Sequence, residues 1–397
     1  MLLIFVYFPT MSIMRATKAI IYLNNFKNNL LEIRRLVGAD KKICVSVKAD
    51  AYGHGALECA KVAAEVGANY LAVATVDEGA ELRKSGIKLP ILLLSLCVPE
   101  EMDSLIENNL TPLCFGESYI SELEKAAERN NTRLCVHLAV DTGMGRIGCL
   151  PEEAAREAKR IASSKYLSLG GICTHFAVAD SVSAEDREYT KKQIASFRAA
   201  VDSVKNAGID TGIVHSSSSG ALLDLEEARF DMVRPGIIAY GYYPGDITEK
   251  YLSDKGTPVH LEPVMSLETQ IVAIRDFEKG KSISYGHTWT ADKATKIGVL
   301  PIGYADGLLR RFAKDGDFSV AINGKEYFVR GRICMDQCMI DLGEDSGVKL
   351  YDKVVLFGSK TSGALQSAQD IADKIGTIPY EITCGVTKRV PRVFETK

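Results

Sequence analysis

Ile43-Cys44-Val45-Ser46-Val47-Lys48-Ala49-Asp50-Ala51-Tyr52-Gly53-His54-Gly55 opens as an apolar run and closes with a lysine, a tyrosine and a Gly-His-Gly turn. Its first part, Ile43–Ala49, is apolar along its whole length and does not alternate, the pattern of a parallel strand covered on both faces. The same pattern returns at Tyr70–Thr75, Ile91–Ser95, Thr111–Phe115, Leu134–Val140, Gly171–Phe176, Ile213–Ser216 and Met232–Ile238. Amphipathic stretches separate them, at Ala56–Val66, Pro99–Asn108, Glu117–Arg129, Pro151–Ala162 and Ala184–Ala207. Eight such units with short connections predict a (β/α)8 TIM-type barrel in preference to an open doubly wound sheet.

Beyond residue 256 the pattern changes. Val264–Ile274, Ile297–Leu300, Phe318–Ile322, Tyr327–Ile333, Met339–Leu342 and Lys353–Phe357 read as short strands, with Asn323-Gly324 as a hairpin turn, and only Ser367–Ile375 reads as helix. The expected plan is therefore a barrel over 24–255 followed by a mainly β domain over 256–397, with a strand within 14–23 joining the latter. Asn24 or Asn25 is placed to cap a helix whose Phe26, Leu30, Ile33 and Val37 share one face.

Composition narrows the function. Lys+Arg 48 against Asp+Glu 51 leaves a net charge of −3, without the basic excess that a nucleic-acid surface needs. The 10 cysteines include no CxxC pair, and Cys334/Cys338 lacks a second cluster, so neither a zinc site nor a disulfide framework is expected. Thiols set in apolar runs point to a reducing, cytoplasmic setting. Met1–Phe8 is apolar throughout but far short of the roughly 20 residues that span a bilayer. With no cation before Arg15 it also lacks the basic start of a signal peptide. Residues 1–13 are read as a disordered extension or the product of an upstream start, and no membrane association is expected.

Lys48 is the residue with the most chemistry to offer. An ammonium is a poor core group, yet at the C-terminal mouth of a barrel desolvation lowers a lysine's pKa and makes it a nucleophile. A lone lysine there more often snorkels to solvent; the neighbouring Tyr52 and Gly53-His54-Gly55 are not required by snorkelling.

With these residues in view, the chain resembles the alanine racemases among the fold-type III pyridoxal-phosphate enzymes, from about Arg15 to Phe394. The resemblance rests on Val47–Gly55, Asp141-Thr142-Gly143-Met144-Gly145-Arg146-Ile147-Gly148, Thr174-His175-Phe176, Val233-Arg234-Pro235-Gly236-Ile237 and Ser284-Tyr285-Gly286-His287-Thr288-Trp289-Thr290. It continues through Pro301–Gly307, Gly331-Arg332-Ile333-Cys334-Met335-Asp336-Gln337 and Ile378-Pro379-Tyr380-Glu381. Each motif is weak alone; their order and spacing across both domains are specific.

The resemblance implies a set of roles. Lys48 would hold pyridoxal 5'-phosphate covalently and act as one catalytic base, with Tyr285 as the second. Tyr52, Ser219, Gly236, Ile237 and Tyr380 would receive the phosphate, and Arg234 would face the pyridine nitrogen. Arg146 and the Met335 N–H would take the substrate carboxylate, with His175, Tyr304 and Asp336 in support. Racemisation needs a proton removed from one face and returned to the other, which two opposed bases do simply. An arginine cannot accept the ring nitrogen's proton, so the ring is a shallower electron sink and side reactions are discouraged. Bulky Tyr304 and Tyr380 suggest a pocket for a methyl side chain. In the family the β-domain residues serve the partner's site, which implies a homodimer, and the implied role is D-alanine supply for peptidoglycan.

Two positions depart from the family pattern. Ala139 stands where many members carry a lysine, often carbamylated, that braces the arginine at 146, and Ser218 stands where asparagine is common. The competing readings are a broader amino-acid racemase acting on serine, a decarboxylase of the same fold, and a non-catalytic pyridoxal-phosphate carrier. Carriers resemble the barrel alone, so the β-domain motifs weigh against that reading.

Overall fold

The computed structural model describes residues 15–396, which fall into two compact units, Tyr22–Val264 with Thr396, and Arg15–Ile21 with Met265–Glu395. The expected extension over residues 1–13 lies outside the described residues.

In the first unit eight parallel strands close on themselves: β2 (Lys42–Ser46), β3 (Tyr70–Val73), β4 (Ile91–Leu93), β5 (Leu110–Cys114), β6 (Leu134–Ala139), β7 (Leu167–Cys173), β8 (Ile213–His215) and β9 (Met232–Val233), coming after β1 (Lys18–Tyr22) in the other unit's sheet. Helices lie between the strands, so the expected (β/α)8 barrel is what forms. One core cluster takes Cys44, Ala72, Leu92, Leu113, Ala139, Cys173 and Met232 from seven of the eight strands. Several of these are small, so the centre is filled without large side chains from every strand. Seven cysteines are buried, which suits small apolar packing.

The second unit is built on a nine-stranded sheet in the order β11-β14-β17-β16-β15-β18-β10-β1-β19. These strands are β10 (Met265–Gln270), β11 (Ala273–Phe277), β14 (Thr295–Leu300), β15 (Ser319–Ile322), β16 (Lys325–Arg330), β17 (Cys338–Gly343), β18 (Lys353–Phe357) and β19 (Arg392–Glu395). A separate hairpin pairs β12 (Ser282–Ile283) with β13 (Trp289–Thr290). Asn323 and Gly324 have φ of 51° and 75°, the left-handed pair that a two-residue hairpin between β15 and β16 requires.

Four sequence expectations are corrected. The helix Leu23–Val37 is not capped by an asparagine side chain; Asn25 Nδ2 donates to Pro263 O and Asn24 Nδ2 to Thr396 O, so both are engaged in tertiary contacts. The units divide at Val264/Met265 and not at 256, because the intervening segment packs on the barrel, with Asn29 Nδ2 donating to Glu262 O and Val264 N to Tyr240 O. The run Val264–Ile274 is broken into β10 and β11, with Ile271 N donating to Asp352 O in the break. Besides Ala368–Ile375, the β unit holds a second helix, Pro379–Gly385, with proline at its first position.

Candidate active site

Lys48 stands directly beyond β2, where Ser46 N donates to Pro235 O at 3.0 Å and Val47 N to Ala72 O at 2.9 Å. The next four residues make an uncommon turn. Ala49, Asp50, Ala51 and Tyr52 have φ of 51–54°, a complete left-handed turn made without glycine. Each L-residue in that conformation costs about 1–2 kcal/mol, so the surroundings must over-determine it. Ala51 N donates to Val47 O, Gly53 N to Ala49 O and Gly55 N to Asp50 O. Asp50 Oδ1 accepts from Ala56 N at 2.8 Å, opening the helix Ala56–Glu65. Glu78, in the helix Val76–Lys84, takes Ala49 N on one oxygen at 2.6 Å and Ala74 N on the other at 2.7 Å. The carboxylate that closes this helix's capping box therefore also clamps the residue after Lys48.

The left-handed turn presents Tyr52 to a second loop. Its hydroxyl lies 3.2 Å from Ser46 Oγ, and its ring packs on Tyr240 with centroids 4.9 Å apart. Gly236 N donates to Ser219 Oγ at 3.0 Å, and Ile237 opens a short 3₁₀ turn. A Cβ at Gly236 would sit 2.7 Å from the Tyr52 hydroxyl and 3.6 Å from Ser219 Oγ. Two hydroxyls and a peptide N–H thus converge beside a Cα where only glycine leaves them room. That donor set suits a phosphate without a dedicated cation.

Arg234 directly follows β9 and is 7% exposed. Its NH1 donates to His215 Nδ1 at 2.8 Å, and its NH2 donates to Thr174 O and Ser216 O at 2.9 Å and lies 3.3 Å from His175 Nδ1. Every partner is neutral. Burial, then the charges of Arg234, Arg146 and Lys48, push His175 down to about 3, so it is uncharged at neutral pH. A guanidinium only donates, so His175 accepts at Nδ1 and carries its proton on Nε2. Arg146 is exposed on the loop between β6 and β7, whose shape comes from Asp141 Oδ1 accepting from Gly143 N and Gly145 N. Among the described residues Arg146 pairs with no carboxylate, and Ala139 lies buried in the barrel cluster.

The second unit carries the remaining expected residues. Tyr285 sits in a tight turn stapled to the segment before β17: Ser284 Oγ donates to Arg332 O at 2.5 Å and lies 3.9 Å from Cys334 Sγ. Ser284 and His287 have φ of 67° and 48°, and Gly286 lies against the Arg332 guanidinium. Tyr304 N donates to Cys334 O, and Ala305 N to Met335 O, both at 3.0 Å. Gly303 is needed there, since a Cβ would stand 2.3 Å from both carbonyls. Tyr285, Tyr304 and Met335 are thereby gathered around Cys334, and they are 68%, 39% and 52% exposed. Asp336 pairs with Arg389 at 2.9 Å, and the same arginine reaches the buried Asp306, which also holds Arg15 at 2.7 Å. Tyr380 is half-buried on the helix Pro379–Gly385.

Three comparisons with known proteins bear on this arrangement. The family model "Alanine racemase, N-terminal domain" matches residues 21–244, and "Alanine racemase, C-terminal domain" matches 264–394. This chain belongs to the alanine racemase family. The alanine racemase of Treponema denticola is 48% identical over 384 residues, spanning 96% of this chain and 98% of that protein. That of Treponema pallidum is 43% identical, over 96% and 100% of the two chains. Among solved structures, alanine racemase from Clostridium difficile 630 superposes with a TM-score of 0.90 at 39% identity, over 97% of each chain. The Bacillus anthracis alanine racemase with bound L-Ala-P gives 0.87 at 36% identity, over 96% of each. The resemblance read from the motifs is borne out, and an alanine racemase is an isomerase.

Within this alanine racemase family member, the barrel unit brings together Lys48, Tyr52, Arg146, His175, Ser219, Arg234, Gly236 and Ile237, and the β unit brings together Tyr285, Tyr304, Met335 and Asp336. Sequence reading missed Glu78 as the clamp on the Lys48 turn and His215 as the partner of Arg234. The signal for Glu78 was present, in Thr75-x-x-Glu78 as a capping box; its second duty depends on tertiary structure.

Proposed function

We propose that this chain interconverts L-alanine and D-alanine with pyridoxal 5'-phosphate by a two-base mechanism. The observation that carries the reading is the cluster of Tyr52, Ser219 and Gly236 beside the Lys48 turn. Its hydroxyl and N–H donors fit a phosphate, and Arg234 brings donors without an anionic partner of its own. When bound, the cofactor supplies an electron-withdrawing ring that acidifies the α-hydrogen of the attached amino acid.

The chain's own groups do the rest. Lys48 Nζ would hold the cofactor and serve as the proton carrier on one face, with Tyr285 Oη as the carrier on the other. Arg234 would face the ring nitrogen and, having no acceptor, could only donate to it, which would limit charge build-up there. Ile237 and Tyr380 complete the phosphate contacts. Arg146 and the Met335 N–H orient the substrate carboxylate, and His175, Tyr304 and Asp336 hold the tyrosine side in place. Tyr285 at 68% exposure is a base without a site of its own. We read it as serving the partner in a homodimer, with each active site shared between subunits. Among the described residues no helix is long and apolar enough to cross a membrane; a cytoplasmic enzyme supplying D-alanine for peptidoglycan fits this reading.

Borohydride reduction of the purified protein should fix the cofactor on Lys48, located by peptide mapping, and chiral analysis after incubation with L-alanine should show D-alanine. Lys48→Ala should abolish both. Reduced cofactor on another lysine would overturn the assignment.

A further inference from the structure

Arg234 is a buried cation whose partners are all neutral, and the chain of hydrogen bonds behind it has a fixed direction. Its NH1 lies 2.8 Å from His215 Nδ1, and a guanidinium has no acceptor. His215 therefore accepts at Nδ1 and carries its proton on Nε2. That nitrogen is 2.9 Å from His137 Nδ1, so it donates, and His137 in turn must carry its proton on Nε2. Both rings are fully buried, tilted at 60° with centroids 5.1 Å apart. The chain thus runs one way, Arg234 to His215 to His137, from β9 through β8 to β6.

The barrel is shaped to admit these rings. A Cβ at Gly171 would stand 2.7 Å from His137 Nδ1 and Cε1, and one at Gly170 would stand 3.4 Å from His137 Nε2 and 2.2 Å from Cys135 Sγ. The two consecutive glycines of β7 are therefore spaces kept for the imidazole and its neighbour. At the far end His137 Nε2 is buried with no hydrogen-bond partner among the described residues. The titratable groups facing the pair are Arg234 and His175 at one end and Tyr70 and Cys135 at the other, with Cys44 and Cys173 on the flanking strands. None brings a carboxylate.

We propose that His215 and His137 are positioning residues for Arg234: two neutral imidazoles of fixed tautomer that pin the guanidinium without neutralising it. A carboxylate in the same place would absorb the cation's field in a salt bridge. A neutral chain fixes its orientation and leaves that field for the cofactor, which Arg234 faces if the site holds pyridoxal phosphate as proposed. Burial and the Arg234 charge hold both rings deprotonated, His137 down to about 4 and His215 well below the ordinary range. A second proton on either would oppose one donor to another.

The full-length protein, as purified and labelled with 15N-histidine, tests the chain without reference to activity. The ring nitrogens of His215 and His137, assigned by single His→Gln substitutions among the 6 histidines, should both report protonated Nε2 and bare Nδ1. They should stay so from about pH 8 to 6, where a free imidazole titrates near 6.5. An Nδ1 proton on either ring, or titration in that range, would overturn the proposal whatever the enzyme's activity. His137→Leu should then lower kcat for racemisation about tenfold with KM for alanine unchanged, a loss on the scale of one hydrogen bond to a charged group. His137→Asn, which keeps an acceptor near the Nδ1 position, should restore most of it. Unchanged kcat in His137→Leu would remove the pair from the catalytic apparatus.

Discussion

In the barrel, Arg234 is 7% exposed and its hydrogen bonds run to the barrel's own carbonyls and histidines; in the β unit, Tyr285 is 68% exposed on a turn stapled by Ser284. Arg234 is thus held by the barrel itself, and the strained turn after Lys48 is tied down by Glu78 and Asp50. The β-unit residues have a rigid backbone, with Gly303 and Gly331 packed too closely to accept a side chain, but their functional ends lie open to solvent. A proton carrier works when it is held in line with one reacting atom, which an open surface does not provide. The contrast is the one that the proposed function requires, with one group of residues holding a cofactor and the other serving a second copy of the chain.

The largest effect should come from the exposed side. Tyr285→Phe removes a proton carrier and nothing that binds the cofactor, so racemisation should fall by about 10²–10⁴-fold, the usual worth of a positioned acid or base. The visible absorbance of the bound cofactor should persist. Full activity in both directions would take Tyr285 out of the mechanism.

A smaller effect is expected at Gly236. Gly236→Ala places a methyl 2.7 Å from the Tyr52 hydroxyl, whose ring cannot swing because it packs on Tyr240. Cofactor affinity, measured by absorbance titration of the cofactor-free protein, should weaken at least tenfold, the cost of about one charge-assisted hydrogen bond. The far-UV circular dichroism should not change. Undiminished affinity would separate Gly236 from the cofactor.

Acid should distinguish the two units by a modest margin. His137, His175 and His215 hold folded pKa values of about 4, about 3 and well below the ordinary range. The unfolded chain, with imidazoles near 6.5, therefore binds more protons than the folded one below that pH. Stability from these groups is complete above about pH 6.5 and is lost as the pH falls towards the folded values, by about 1.4 kcal/mol per histidine per pH unit. All three lie in the barrel, whereas the single tryptophan, Trp289, lies in the β unit. Between about pH 7 and 5 the denaturation midpoint read by helical circular dichroism should fall further than that read by Trp289 fluorescence. Equal shifts would mean that the buried histidines are not the barrel's acid-sensitive elements.

Much of this contrast was legible before the structure. Uniformly apolar strands such as Ile91–Leu93 announce a parallel barrel because both faces are buried, and the Asn323-Gly324 hairpin follows from turn chemistry. The left-handed turn at Ala49–Tyr52 was not legible, because it contains no glycine and contacts such as those of Glu78 and Asp50 impose it. Pro379–Gly385 is too short to show a helical period, though its proline marks a start. The His137–His215 pair was hidden for another reason. It joins β6 to β8 across the barrel interior, a neighbourhood that exists only after closure.

Subunit mixing tests most directly the claim that the exposed half serves another chain. Lys48→Ala and Tyr285→Phe proteins are each expected to be inactive alone. If each site takes Lys48 from one chain and Tyr285 from the other, a mixed dimer concentrates both lesions in one site and leaves its second site whole. With random exchange half of the dimers are mixed, so roughly a quarter of the unmutated activity should return. If Lys48 and Tyr285 of one chain served the same site, every site would carry a lesion. No recovery, with exchange verified by mass spectrometry of tagged subunits, would contradict the account.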